Sequence, residues 1–173
     1  AAIAVQAMLS LVEPQSSGLG GGAFMTYLDG TSGKISIYDG REVAPAGATP
    51  DMFLDDSGKP VPFRDAVVSG RATGVPGAVR LLEAAHRDHG SLPWSSLFGD
   101  AERTAREGFI VSRRLGRFLG GSYPQLKTPD AQAYFADDDG TLLDVGDRLR
   151  NPAYAEFLQR LAAQGSAALY TGE

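Results

Sequence analysis

The sequence contains no cysteine. Disulfides, thiolate nucleophiles and cysteine-based metal centres are therefore excluded, while the choice between an oxidising and a reducing compartment stays open. Long apolar runs are missing as well. The longest, from Ala1 to Val12, is interrupted by Gln6 and Ser10. It is too short to span a bilayer and lacks the positive flank of a signal peptide, so no membrane span is expected in this stretch. Like charges nowhere extend beyond Asp137-Asp138-Asp139, which reads as a solvated loop. The net charge of −5 argues against a nucleic-acid partner, which needs a basic surface. Histidine is scarce, with only His86 and His89, and Trp94 is the single tryptophan.

What is present suits a folded domain. The chain has 173 residues, about one domain's length, and 43% of them are hydrophobic, enough for a substantial core. It begins without Met, inside a helical pattern that no capping residue precedes. It stops at Tyr170-Thr171-Gly172-Glu173, just after an apolar segment. These boundary signals lead us to expect that residues 1–173 form a single incomplete domain of a larger protein.

Residues 1–12 read as a nearly all-round apolar, hence buried, helix ended by Pro14. A glycine-rich loop, Ser16-Ser17-Gly18-Leu19-Gly20-Gly21-Gly22, follows. Ala23 to Leu28 and Lys34 to Tyr38 read as strands, the second with Ile35 and Ile37 on one face and Lys34 and Ser36 on the other. Asp29-Gly30-Thr31-Ser32-Gly33 between them has hairpin chemistry. Asp39-Gly40 turns the chain into a long loop, and residues 51–73 carry no firm pattern beyond a turn at Asp55-Asp56-Ser57-Gly58.

From Pro76 the chain is mostly helical. Pro76 suits a first helical position, Val79, Leu82 and Ala85 form the apolar stripe, and His86, Arg87 and His89 complement the dipole of the last turn. A second helix is expected from about Pro93 to Glu107, with Gly108 as its left-handed cap. Ser112 caps a third, with Leu115, Phe118 and Leu119 inward. Asn151 and Pro152 start a last helix that buries Phe157, Leu158 and Leu161 and ends at Gly165. No internal repeat is evident. A buried helix, a hairpin and a run of helices predict an α+β layered domain.

Several residues invite a chemical reading. The glycine-rich loop follows a helix and opens a strand, the reverse of a dinucleotide loop, and it lacks the Lys-Ser/Thr ending of a P-loop. A structural role, in close packing and positive φ angles, is the simpler account. Arg41 lies at a strand end, where site residues gather, and its planar fork matches a carboxylate. Equally, it reads as a surface arginine paired with Glu42 or Asp39, the commoner and weaker arrangement. The spacing of His86 and His89 fits two metal ligands on one helix face, or two helix-end cations; no third ligand accompanies them. Trp94 reads as a packing anchor. No serine sits in a Gly-x-Ser-x-Gly elbow, and Glu13, Glu83 and Asp147 have no evident acid–base partner.

The order of the segments supplies more than any one of them. Val12-Glu13-Pro14-Gln15-Ser16-Ser17-Gly18-Leu19-Gly20-Gly21-Gly22-Ala23-Phe24-Met25 is followed by Asp39-Gly40-Arg41-Glu42-Val43-Ala44-Pro45. Further along come Ala48-Thr49-Pro50-Asp51-Met52-Phe53, Gly74-Val75-Pro76-Gly77, Leu92-Pro93-Trp94, Ala105-Arg106-Glu107-Gly108-Phe109 and Gly146-Asp147. Across essentially its whole length the chain resembles the N-terminal part of the large subunit of γ-glutamyltransferases, also called glutathione hydrolases.

That resemblance implies the N-terminal-nucleophile hydrolase fold, an αββα sandwich of which this chain is a fragment, mostly helical after residue 75. It implies an acyl-transfer enzyme acting on glutathione and other γ-glutamyl amides, without metal or organic cofactor. Family members arise from a self-cleaving precursor, and the new N-terminal threonine of the small subunit is the nucleophile. None of that subunit is present, and Thr26, Thr31, Thr49, Thr73 and Thr104 do not match the nucleophile's setting. No catalytic residue is therefore assigned within this chain. Arg41 matches the arginine that holds the α-carboxylate of the γ-glutamyl donor, a charge-assisted contact worth about 1.5–3 kcal/mol. Glu42 and the glycine-rich loop are candidates for shaping that site. The missing small subunit is the implied partner, and a periplasmic or secreted address is the implied location. Within the same fold, a cephalosporin or poly-γ-glutamate-type acylase and a non-catalytic γ-glutamyl-binding homologue are the alternatives.

Overall fold

Helix α1 spans Ala2–Val12 of the computed structural model, which describes residues 1–171; Gly172 and Glu173, at the expected chain end, lie outside the described residues. Ile3, Ala7 and Leu11, spaced one turn apart, are buried, whereas Val5 and Leu9 are exposed. The all-round burial expected of this helix is therefore corrected to one buried stripe, because the apolar composition hides a 3.6-residue geometry that only one set of neighbours uses.

Strands β1 (Ala23–Leu28) and β2 (Ile35–Gly40) pair antiparallel in the register Ala23↔Gly40 through Leu28↔Ile35. Asp29 closes the turn, its carboxylate accepting the Thr31 N–H at 2.8 Å, and Gly33 takes φ +70°, which a glycine adopts without strain. The second strand runs two residues further than its pattern suggested, so that Gly40 becomes its last, buried residue. One face of the hairpin, with Ala23, Met25 and Tyr38, packs on the core; the other presents Phe24, Leu28, Ile35 and Ile37 to the surroundings.

Helix α2 is a single turn at Phe63–Ala66. Helix α3 covers Ala78–His89. Pro76 lies before it rather than at its first position, and its carbonyl instead accepts the Tyr170 hydroxyl at 2.7 Å. The expected Pro93–Glu107 helix is divided into a 3-10 turn at Trp94–Leu97 and α4 at Gly99–Glu107. The chain breaks at Phe98, which buries its ring and supplies the carbonyl for the Glu102 N–H. Gly108 ends α4 at φ +94°.

Short strands β3 (Phe109–Ile110) and β4 (Arg148–Leu149) form a second two-stranded sheet. Helix α5 (Arg113–Leu119) is capped by the Ser112 hydroxyl, which accepts the Leu115 N–H. Leu115 and Leu119 are buried, and the half-buried Phe118 stacks on Tyr123 at 4.6 Å. Helix α6 follows at Pro129–Tyr134. Helix α7 (Pro152–Gln164) is capped by Asn151, buries Ala155, Leu158 and Leu161, and ends at Gly165 with φ +66°. Phe157 is only half-buried, and α8 (Ala167–Tyr170) closes the described chain.

These elements sort into two compact units. The first comprises Ala1–Val43, Pro76–Phe109 and the chain from Arg150, and the second Ala44–Val75 and Ile110–Leu149. In the first, Ile3, Ala7, Leu19, Val79, Leu82, Phe98, Leu158 and Leu161 form a core to which α1, α3, α7 and the hairpin contribute. Trp94 packs against it and anchors its indole N–H on the Leu161 carbonyl at 2.8 Å, so the packing role expected of it holds.

The second unit contains a short repeat, which corrects the expectation of none. Phe53-Leu54-Asp55-Asp56-Ser57-Gly58 and Phe135-Ala136-Asp137-Asp138-Asp139-Gly140 build matching turns. Each is closed by a bridge, Leu54↔Pro60 and Ala136↔Leu142. In each the first aspartate accepts backbone N–H groups two and four residues on, and the glycine takes a positive φ. The acidic run at 137–139 is therefore one such turn.

Candidate functional site

The hairpin's exit positions Arg41. Gly40, the last residue of β2, lies against Gly77 at the start of α3, and a Cβ on either glycine would collide with the other's backbone or with Leu81. The Gly21 carbonyl accepts the Gly77 and Ala78 N–H groups at 3.1 and 3.0 Å. Three segments thus converge: the glycine-rich loop, the Gly40–Glu42 corner and the first turn of α3.

Asp39 pins the corner by accepting the Arg41 N–H at 2.9 Å. The Arg41 side chain is 72% exposed, with Nε 3.5 Å from Oε2 of Glu42. The ion pair weighed as the alternative to a substrate role is therefore present. Its partner, Glu42, is half-buried, with its carboxylate laid over Gly21 and Gly22. Among the described residues no other hydrogen bond or ion pair holds the Arg41 guanidinium, so its two Nη groups stay open to an incoming carboxylate.

The remaining candidates are not drawn to this place. His89 stacks on Tyr27 with ring centroids 3.8 Å apart. The Tyr38 hydroxyl donates to Asp88 at 2.9 Å, so its oxygen must accept the Nε2–H of His89 at 2.8 Å. That donated bond holds the Asp88 carboxyl below its ordinary range. His86 engages the Leu92 carbonyl through Nε2 at 2.8 Å and meets the edge of Trp94. The two histidines thus serve separate contacts, although both border a cleft of about 230 Å³ with Met25, Tyr27 and Leu97. Glu83 binds Ser166, Glu13 accepts the Gln15 amide at 2.6 Å, and Asp147 accepts the Asp144 N–H at 2.7 Å. The glycines at 22, 40 and 77 are the feature that residue-by-residue reading underrated; the signal lay in their pairing across distant segments, which spacing does not reveal.

Known proteins share this arrangement of segments. The model of a family described as gamma-glutamyltranspeptidase matches residues 1–173. A glutathione hydrolase proenzyme of Bacillus subtilis (strain 168) is 38% identical over 173 residues, which are 100% of this chain and 29% of that protein. The crystal structure of Helicobacter pylori gamma-glutamyltranspeptidase matches with a TM-score of 0.90 at 30% identity, over 99% of this chain and 49% of that chain. A gamma-glutamyltranspeptidase from Pseudomonas nitroreducens matches with a TM-score of 0.86 at 32% identity, over 99% of this chain and 49% of that one. The chain thus spans under a third of the curated relative and about half of each solved chain. The α+β fragment expected from the sequence has the fold of these N-terminal-nucleophile hydrolases.

Proposed function

The chain belongs to the gamma-glutamyltranspeptidase family, and on that premise we propose that the protein containing residues 1–173 hydrolyses or transfers the γ-glutamyl group of glutathione and related γ-glutamyl amides. Residues 1–173 serve as one incomplete domain, the N-terminal part of the large subunit. The small subunit of the same self-processed precursor supplies the threonine nucleophile. Its hydroxyl attacks the γ-carbonyl, the hydroxyl proton passes through the threonine's own α-amine to the leaving amine, and a γ-glutamyl ester remains. Water or an acceptor amine then takes the acyl group and regenerates the hydroxyl. No metal or organic cofactor enters, and the protein works in the periplasm or outside the cell.

The part played by this chain is orientation. Arg41 grips the donor's α-carboxylate through its open Nη edge, holding the γ-carbonyl at a fixed distance from the nucleophile, which converts binding into rate. The observation that carries this reading is the Gly40–Gly77 corner, which sets Arg41 on rigid backbone while leaving its side chain open. The test is hydrolysis of a γ-glutamyl anilide by the full-length protein and its Arg41→Lys variant. Lysine keeps the charge and loses the fork. A fall in kcat/KM of about tenfold to a hundredfold, the worth of one charge-assisted contact, is expected. Unchanged kinetics would dismiss the clamp.

A further inference from the structure

We propose that Glu42 is a positioning residue that aims the Arg41 guanidinium, and that the Gly21-Gly22 step of the glycine-rich loop is the seat that holds Glu42 in place. The inference rests on the reading of Arg41 as a carboxylate clamp and goes beyond it by assigning the residues that make the clamp work.

A guanidinium presents two edges useful to a carboxylate, one pairing Nε with an Nη and one pairing the two Nη groups. Glu42 engages the first, with Oε2 3.5 Å from Nε. That leaves the second facing outward. An arginine 72% exposed on its own would sample many rotamers and pay their entropy each time substrate bound. Tethering Nε removes part of that cost before binding.

The tether acts only if Glu42 is itself fixed, and its surroundings fix it. Its side chain is 34% exposed, against 72% for Arg41. A Cβ on Gly22 would overlap Oε2 and stand 2.7 Å from Cδ and 2.8 Å from the backbone nitrogen of Glu42, while one on Gly21 would touch Oε1 at an ordinary 3.5 Å. Only glycine at position 22 leaves room for the carboxylate where it lies. The Gly21 carbonyl is in turn tied to the Gly77 and Ala78 N–H groups. Loop, glutamate and arginine form one mechanical series ending at the open edge. An exposed ion pair adds little stability, so the consequence of this pair lies in geometry.

The experiment compares Gly22→Ala, Glu42→Gln, Arg41→Lys and the Glu42→Gln/Arg41→Lys double variant in the full-length protein. Each is assayed with a γ-glutamyl anilide and with its analogue amidated at the α-carboxylate. Both Gly22→Ala and Glu42→Gln should raise KM for the free acid by about tenfold, more than they lower kcat. The amidated analogue, which cannot use the clamp, should show no such discrimination. Because Glu42 acts through Arg41, the double variant should be no worse than Arg41→Lys alone. If Arg41→Lys raises KM but Glu42→Gln does not, or if the two effects multiply, the positioning role is wrong and the clamp stands. If Arg41→Lys itself leaves KM unchanged, the clamp fails and this inference with it. Glu42→Gln keeps the shape of the side chain, so the comparison decides the matter even where Gly22→Ala fails to fold.

Discussion

Replacing Gly77 with alanine probes whether the backbone corner beneath Arg41 sets the site. The added methyl would overlap the Gly40 carbonyl oxygen and stand 2.6 Å from its carbon and 2.9 Å from the Arg41 carbonyl oxygen. These are backbone atoms with no rotamer to yield, so β2's exit and the start of α3 must separate. Reaching an ordinary contact of about 3.4 Å requires a displacement of roughly 1 Å. Overpacking of this sort costs about 1–3 kcal/mol. A misplacement near 1 Å at a substrate-positioning group costs on the order of a hundredfold in rate. The assay is thermal unfolding together with kcat/KM for a γ-glutamyl anilide, on the full-length protein. The expected result is a lower melting temperature and a disproportionate loss of kcat/KM. Wild-type kinetics accompanied by a lower melting temperature would show that the corner supports the fold but does not aim Arg41.

Two further outcomes follow from the first unit. The Glu83 carboxylate accepts the Ser166 N–H at 2.8 Å and its hydroxyl at 2.5 Å. Burial raises its pKa, but the Ser166 bonds and the nearby Arg80 and Arg87 outweigh this and set it below the ordinary 4.5. A depressed carboxyl contributes stability that is present above its unfolded pKa and lost as pH falls through the folded one. Glu83→Gln should therefore destabilise the full-length protein by about 1–3 kcal/mol at neutral pH. The gap to wild type should narrow progressively below pH 4.5, and a gap constant down to pH 3 would reject the charge-based account. The second outcome concerns residues 1–173 in isolation, where Phe24, Leu28, Ile35 and Ile37 are each at least 60% exposed on one hairpin face. So large an apolar patch favours association over a stable monomer. The isolated piece should bind a hydrophobic dye, hydrolyse no γ-glutamyl anilide and unfold without a cooperative transition; a sharp two-state melt would contradict this.

Elements announced by local chemistry were legible. Ser112 and Asn151 cap their helices as their side-chain oxygens allow, and Gly108 and Gly165 end theirs at positive φ. What escaped depends on neighbours. Composition made α1 look buried throughout, but which of Ile3 and Val5 is covered is decided by α4 and the hairpin, not by α1 itself. In β2 the alternation was plain, yet the branched residues Ile35 and Ile37 face outward while Ser36 and Tyr38 turn inward, because Tyr38 reaches α3 through Asp88 and His89. Pro76 carries a helix-start signal that tertiary structure overrides by giving its carbonyl to Tyr170. The paired Asp-x-x-Gly turns share few identical residues, so the backbone reveals the repeat more clearly than the letters do.

The two sequence readings of Arg41, a surface ion pair and a substrate clamp, looked like competitors, and the geometry removes the competition. An ion pair through Nε consumes one edge of the guanidinium and leaves the other. Had Glu42 instead met both Nη groups, a substrate carboxylate would have had to displace it, and the pair would have argued against the clamp. The seat formed by Gly21 and Gly22 keeps Glu42 to the side of the arginine rather than beyond its tip. The glycine-rich loop and the Asp-Gly-Arg-Glu corner are then one device built from two segments, which explains in physical terms why their joint occurrence is more specific than either alone. A change of substrate would show at this same device. An acylase acting on a donor without an α-carboxylate gains nothing from the open Nη edge, so nothing would require glycine at position 22 in such a protein.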